Sequence, residues 1–250
     1  TNSMIDISST FFETMSGYTA TGATILSEIE SLPSGILFWR SMTHWIGGMG
    51  IIVLAVAVLP LLGIGGIQLF SAEAPGPNND KLHPRITDTA KRLWVIYVSF
   101  TILEAILLSF AGMSIFDAVN HAMSTMASGG FSTKNNSLAY WNHLPLVQYI
   151  IILFMFLAGS NFVLSYFALT GKINKVIKDD EFKTFLSLVI IFSLTVFIII
   201  YTSVDLNNSY FDNSQIFGKL EGSIRHSFFQ VLAIITTTGF VTADYTAWTP

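Results

Sequence analysis

Residues 234–242 read Ile-Ile-Thr-Thr-Thr-Gly-Phe-Val-Thr. An apolar run stops at three threonines and a glycine, then resumes with an aromatic, and no charge interrupts it. Alone, the stretch has two readings. Gly239 is either a helix C-cap, a common use of glycine, or part of a backbone laid open to a ligand. The pattern recurs, and the recurrence bears on the choice. "TATGAT" stands at 19–24 and "ASGGFST" at 127–133. Gly22 and Gly130 are 108 residues apart, and Gly130 and Gly239 are 109. Such equal spacing marks an internal repeat.

Composition sets the solvent. The 250 residues are 52% hydrophobic and 11% charged, with a mean hydropathy of +0.59. Soluble domains carry about 25% charged residues, so the chain reads as a membrane protein with the lipid bilayer as its partner. The net charge of -4 offers no basis for a nucleic-acid partner. With no cysteine there is no disulfide, thiolate nucleophile or Cys-ligated metal. The chain starts at Thr1 and stops at Pro250, just after the third glycine loop. It is expected to be a fragment, and no secretory signal is visible in it.

A helix needs about 20 apolar residues to cross a bilayer, and four stretches qualify: 36–62, 93–112, 146–169 and 183–203. Two loops between them, 63–92 and 170–183, hold Lys81, Arg85, Lys91, Arg92, Lys172, Lys175, Lys178 and Lys183, eight of the chain's 12 basic residues. Both lie on one side of the zigzag, which the positive-inside rule makes cytoplasmic. The outward connections each hold a shorter apolar run, at 4–16, 115–127 and 224–235. Runs of that length suit re-entrant half-helices, and each leads into one of the glycine loops. Nine residues before the loop glycines stand Glu13, His121 and Gln230, all polar and in register. The expected fold is therefore an all-α polytopic membrane protein built from span, re-entrant pore loop and span. Residues 1–62 end a first repeat, 63–92 form a cytoplasmic loop, 93–169 a second repeat, 170–182 another cytoplasmic loop, and 183–250 most of a third repeat.

Irregular backbone survives at membrane depth only where protein buries it or a wet cavity takes it up. Loops of threonine, alanine, serine and glycine are small enough to crowd around one axis, and their carbonyls can replace the water shell of a cation. Each half-helix would point its C-terminal partial negative charge at the cavity. The loops contain no Asp or Glu, which fits a dehydrated alkali-metal ion better than Ca²⁺ or Mg²⁺.

The motifs "FETMSGYTATGAT" (12–24), "SLPSGILFWRSMTHWIGGMGIIVL" (31–54), "MASGGFST" (126–133), "FLAGSNF" (156–162) and "TTTGFVTADY" (236–245) resemble those of the Trk/Ktr/HKT superfamily of potassium transporters. "GIQLFSAEAPGP" and "KLHPRITDTAKRLW" are most similar to its bacterial Trk branch. The resemblance implies four repeats around a pseudo-fourfold pore, the fourth lying beyond this chain, and a multi-pass protein of the bacterial plasma membrane. It implies a homodimer controlled by a cytosolic nucleotide-binding subunit docked on the basic loops. K⁺ would be the transported ion, with no tightly bound cofactor. By position, the filter backbone would be Thr19, Ala20, Thr21 and Gly22; Ala127, Ser128, Gly129 and Gly130; and Thr236, Thr237, Thr238 and Gly239. The second loop departs in having Gly129 where the others have Thr21 and Thr238. Serine at the position of Gly22 accompanies sodium transport in relatives, so Gly22 favours potassium.

Other residues carry paired readings. Glu104, mid-span, is either an ion-path group or a structural hydrogen bond or salt bridge. Arg40 and His44, one turn apart, either snorkel or buttress the filter. His121 and His226 read as half-helix packing. Gly47, Gly48 and Gly50 suit close helix contact. Asn161 caps a kink or lines the cavity. An alternating-access symporter would need broken spans and buried charges at paired positions. An intramembrane hydrolase would need a histidine beside Ser160. Sodium permeation is the alternative within the pore reading. No enzymatic activity is expected.

Overall fold

A computed structural model describes residues 7–58, 86–203 and 216–248. Among these the chain is all-helical. Helix α1 spans Ile7–Tyr18, α2 Ser34–Val58, α3 Ile86–Phe110, α4 Ile115–Met126, α5 Pro145–Gly159, α6 Phe162–Leu169, α7 Ile173–Lys178, α8 Asp180–Ser203 and α9 Lys219–Ile235, with short 3₁₀ turns at Ile29–Ser31, Ser137–Trp141 and Tyr245–Trp248.

Two stretches, Arg92–Phe110 of α3 and Asp180–Thr202 of α8, are long and apolar enough to cross a membrane. Both present exposed aliphatic and aromatic side chains, among them Ile102, Ile106, Ile191, Phe192 and Ile198. A water-facing helix would bury such residues or replace them with polar ones. Helix α2 has 25 residues, which at 1.5 Å per residue gives it a length of about 37 Å, enough to cross.

The expected single span at 146–169 is instead two helices. Helices α5 and α6 meet at Ser160 and Asn161 with a bend of 108°. Asn161 accepts from the Val163 amide at 2.9 Å and so starts a new helix. Its Nδ2 donates to Glu181 Oε2 on α8 at 3.3 Å, and Ser160 Oγ donates to the Leu157 carbonyl at 2.8 Å. The capping reading of Asn161 therefore holds, with a sharper break than a kink. A Cβ added at Gly159 would run into the Thr236 side chain, so the elbow lies against the base of the third loop.

The half-helices α1, α4 and α9 end four residues before Gly22, Gly130 and Gly239 respectively. Helix α9 begins five residues before the apolar run predicts, its added turn running from exposed Lys219 and Leu220 to buried Gly222 and Ser223. The largest core cluster joins α3, α4, α5, α8 and α9 around Leu108, Val147, Ile151, Met155, Val189, Phe229 and Phe240. It fixes the second and third loops relative to one another. The basic loop at 63–92 lies mostly outside the described residues.

Candidate functional site

Each half-helix unwinds into its loop the same way. The φ angle is positive at Ala20 (52°) and Gly22 (74°), at Ser128 (54°) and Gly130 (79°), and at Thr237 (59°) and Gly239 (74°). The alternation is therefore in register across all three loops. Ala, Ser and Thr rarely adopt positive φ, and each placement costs about 1–2 kcal/mol. Strain repeated at equivalent positions points to a shared requirement.

Hydrogen bonds show what the loops do with their polar groups. Thr21 N donates to the Ser16 carbonyl (3.0 Å) and Gly129 N to that of Ser124 (2.9 Å). In the third loop the corresponding donor is one residue later, Gly239 N to the Ala233 carbonyl at 3.0 Å. The Thr19 and Thr236 hydroxyls each turn back to their half-helix, bonding the Met15 and Leu232 carbonyls at 2.7 Å. They also contact the Thr21 and Thr238 hydroxyls, both at 2.8 Å. The threonine side chains thus serve the loop's own scaffold. The carbonyls do not. Of the twelve backbone carbonyl oxygens at 19–22, 127–130 and 236–239, only that of Thr236 accepts a hydrogen bond among the described residues, from the Thr237 hydroxyl at 2.7 Å. Most buried backbone carbonyls are paired, so those of the buried Ala127, Gly129 and Thr238, which accept no hydrogen bond among the described residues, are exceptional, whereas Thr19, Thr21, Thr237 and Gly239 are exposed.

The loops also touch in sequence. A Cβ at Gly22 would run into the Gly129 carbonyl oxygen, and one at Gly130 into that of Thr238. Gly239, with the same φ, has nothing within 4 Å of the equivalent position. The structure thus brings the first loop to the second and the second to the third in one repeated contact.

Buried polar groups hold this arrangement. Arg40 bonds Glu13 through Nε (2.9 Å) and Nη2 (2.8 Å), and Glu13 also takes the Thr24 hydroxyl at 2.9 Å and the Ile25 amide at 3.3 Å. In the second unit His121 Nε2 meets Ser132 Oγ at 3.0 Å. Glu13–Thr24 and His121–Ser132 are the same contact, from nine residues before the glycine to two after. Val241 fills that position in the third unit, and Gln230 Oε1 is buried without a hydrogen bond. A second pairing, unforeseen from the sequence, ties the outer ends. The Thr133 hydroxyl donates to Asp117 Oδ1 at 2.6 Å, and Thr242 Oγ1 meets His226 Nδ1 at 2.8 Å, each spanning 16 residues. The packing reading of both histidines is met, with the hydrogen bonds added.

Arg40 and His44 buttress rather than snorkel. His44 stacks on Phe131 with ring centroids 3.9 Å apart, and its Nδ1 meets Ser124 Oγ at 3.1 Å. The Arg40 guanidinium lies 4.1 Å from the centre of the same Phe131 ring. One turn of α2 therefore grips the first unit through Glu13 and the second through Phe131. Gly47 lies against the Tyr18 carbonyl and Gly48 against Ala127, as close contact requires, whereas Gly50 has no such neighbour. Glu104 departs from its structural reading. It is fully buried, and Thr125 is the hydroxyl beside it. That hydroxyl donates to the His121 carbonyl at 2.8 Å, and neither Glu104 oxygen makes a hydrogen bond of normal geometry. Arg225, also fully buried, bonds Glu221 at 2.7 Å and the side chain of Gln148, joining α9 to α5.

Compared with known proteins, the sequence matches the family described as TrkH, a cation transport protein, over residues 1–250. The chain belongs to this family. The family is one of cation transport proteins. The Trk system potassium uptake protein TrkH of Salmonella typhimurium is 44% identical over 246 residues, covering 98% of this chain and 48% of that protein. TrkG of Escherichia coli K12 is 42% identical over 240 residues, covering 95% and 47%. The crystal structure of the potassium transporter TrkH from Vibrio parahaemolyticus superposes with a TM-score of 0.76 at 36% identity, covering 96% of this chain and 46% of that one. The chain thus spans about half the length of the relatives it matches, and its pore-loop repeats agree with the TrkH arrangement.

Proposed function

We propose that the chain forms part of a potassium-selective pathway through the bacterial plasma membrane, with Thr19–Gly22, Ala127–Gly130 and Thr236–Gly239 as three walls of its filter. The observation that carries the reading is the row of carbonyls that accept no hydrogen bond among the described residues, on loops that repeat one backbone pattern. Positive φ at alternate residues reverses every second peptide plane. Carbonyls that alternate in an extended strand then come to face one side. Such oxygens replace a cation's hydration shell. The C-termini of α1, α4 and α9 add partial negative charge at the same place, within about one turn of each loop. With the threonine hydroxyls bonded within the scaffold, the ligand field is one of neutral carbonyl dipoles. It suits a monovalent cation that sheds water readily.

The contact series supports a ring. Gly22 and Gly130 each pack on the next loop's carbonyl, and the open side of Gly239 is where a fourth loop would continue the series. Potassium is favoured by Gly22 and by the names of the relatives. Homodimerisation and control by a cytosolic nucleotide-binding subunit belong to the same proposal. A carrier with paired broken spans is less well supported, because the α5–α6 break has no described counterpart in α2 or α8.

The test is uptake of K⁺, Rb⁺ and Na⁺ by the full-length protein in cells unable to accumulate potassium. Gly22→Ser and Gly239→Ser should lower the preference for K⁺ over Na⁺. Unchanged preference in both variants would overturn the assignment of these loops as the filter.

A further inference from the structure

The cytoplasmic hairpin between α6 and α8 has a division of charge that the pore does not use. Asp179, Asp180 and Glu181 are engaged with α8 and its neighbours. Asp179 Oδ1 accepts from the Phe182 amide at 2.9 Å, Asp180 pairs with Lys183 at 3.0 Å, and Glu181 receives Asn161 Nδ2 at 3.3 Å. Lys172, Lys175 and Lys178, three residues apart, remain exposed. Lys175 rests 5.1 Å from the centre of the Phe167 ring, and Lys172 and Lys178 form no ion pair among the described residues.

Beside the lysines stand three large aliphatic side chains open to solvent: Leu169 at 64%, Ile173 at 56% and Ile177 at 59%. Ile173 and Ile177 are four apart on α7 and so share a face. The turn before α7 is made by Gly171, with φ 77°. Depth is set by α3. Arg92, near the cytoplasmic end of its apolar stretch, bonds the Tyr166 hydroxyl of α6. Exposed Trp94 lies half a turn further on. Arg, Trp, Tyr and Lys at one level mark the membrane–water interface.

We propose that Leu169–Lys178 lies on the cytoplasmic leaflet and binds anionic phospholipid. The aliphatic side chains enter the boundary between headgroups and acyl chains, and the three lysines engage headgroup phosphates. A short helix with apolar residues on one face and lysines around it is the composition of an interfacial segment, and the cytoplasmic leaflet carries the negative surface charge that attracts it. The inference rests on the cytoplasmic placement of 170–183 and not on the filter.

The experiment places an environment-sensitive fluorophore on Ile177→Cys in the full-length protein, with any other cysteine replaced. The protein is reconstituted in vesicles of phosphatidylcholine, alone or mixed with phosphatidylglycerol, containing acyl-chain spin-labelled quencher lipids. Quenching should rise with phosphatidylglycerol and fall at high salt. Neutralising Lys172, Lys175 and Lys178 to Gln should weaken the response by roughly fivefold in partitioning per lysine. The salt titration of the lysine-intact protein provides the same answer if the triple variant folds poorly. Equal quenching in both vesicle types would overturn the proposal. So would protection of the probe only after a cytosolic protein is added, which would make the segment a protein-docking surface. Neither readout depends on ion passage, so failure here is distinguishable from failure of the pore reading.

Discussion

The second loop and the third share one backbone pattern in different surroundings. Around the second, Ser124, Thr125, Met126, Ala127, Phe131, Ser132 and Thr133 are all buried. His44 presses on Gly129 from one side, and the third loop meets Gly130 on the other. The third loop is held by α9 and α5 but leaves Thr237 and Gly239 exposed. The first is bare on its opposite flank, at Thr19 and Thr21. Loops that repeat in conformation thus differ in how far they are enclosed. Enclosure declines toward both ends of the series, as in a ring opened at one segment.

Substitution of the loop glycines should expose that difference most strongly. Gly130→Ala places a methyl against the Thr238 carbonyl and forces alanine to positive φ, which alone costs about 1–2 kcal/mol. Potassium uptake by the full-length protein should fall at least about tenfold. Gly239→Ala carries the same backbone cost with no neighbour to strike among the described residues. If a fourth loop closes the ring, the two variants should be equally impaired in the full-length protein. A mild Gly239→Ala beside a severe Gly130→Ala would contradict closure.

The next effect concerns the braces. Arg40→Ala leaves Glu13 buried without its cation, a change that costs about 3–5 kcal/mol. Thermal unfolding of the detergent-solubilised protein should show a large drop in midpoint, greater than for Lys134→Ala. Lys134 is 22% exposed and sits 4.0 Å from Glu30. Equal, small shifts in both would show that the buried pair does not hold the first loop.

A smaller contrast separates the half-helices. His121→Ala removes bonds to Ser132 and to the Asp117 carbonyl and should cost about 1–3 kcal/mol. Val241→Thr should do the reverse. It supplies at the third loop, by position, the hydroxyl that Thr24 and Ser132 supply at the others, where Gln230 holds a buried unbonded oxygen, for a gain of about 1 kcal/mol. The smallest expected change is at Ala20. Ala20→Gly relieves positive φ and should raise stability by less than about 1 kcal/mol, as measured by thermal unfolding.

Much of this was legible in the sequence for identifiable reasons. Glycine is the residue that αL geometry most often demands, so Gly22, Gly130 and Gly239 revealed both the loops and their period. The polar positions Glu13, His121 and Gln230 stood out against apolar half-helices. The sequence leaves Arg40 between snorkelling and buttressing, and the contact with Glu13 decides it. Other features left no composition signal. Ala20, Ser128 and Thr237 adopt positive φ although their types argue against it, because the loop imposes it from both sides. Phe131, sandwiched by His44 and Arg40, looks like any core aromatic in one dimension. At the α5–α6 elbow Asn161 signals a kink, but hydropathy hides its size, since "FLAGSNFVL" is apolar enough to read as continuous helix. The bend is 108°, and Asn161 at the break meets Glu181, a contact 20 residues away.

The central claim is that the unpaired carbonyls of the three loops bind the ion. The direct measurement is anomalous diffraction from crystals of the full-length protein soaked in Rb⁺. Anomalous density should lie on one axis between the loops, within about 3 Å of carbonyl oxygens from Thr19–Gly22, Ala127–Gly130 and Thr236–Gly239. Density confined to another cavity, with these carbonyls bonded instead to protein donors, would contradict it.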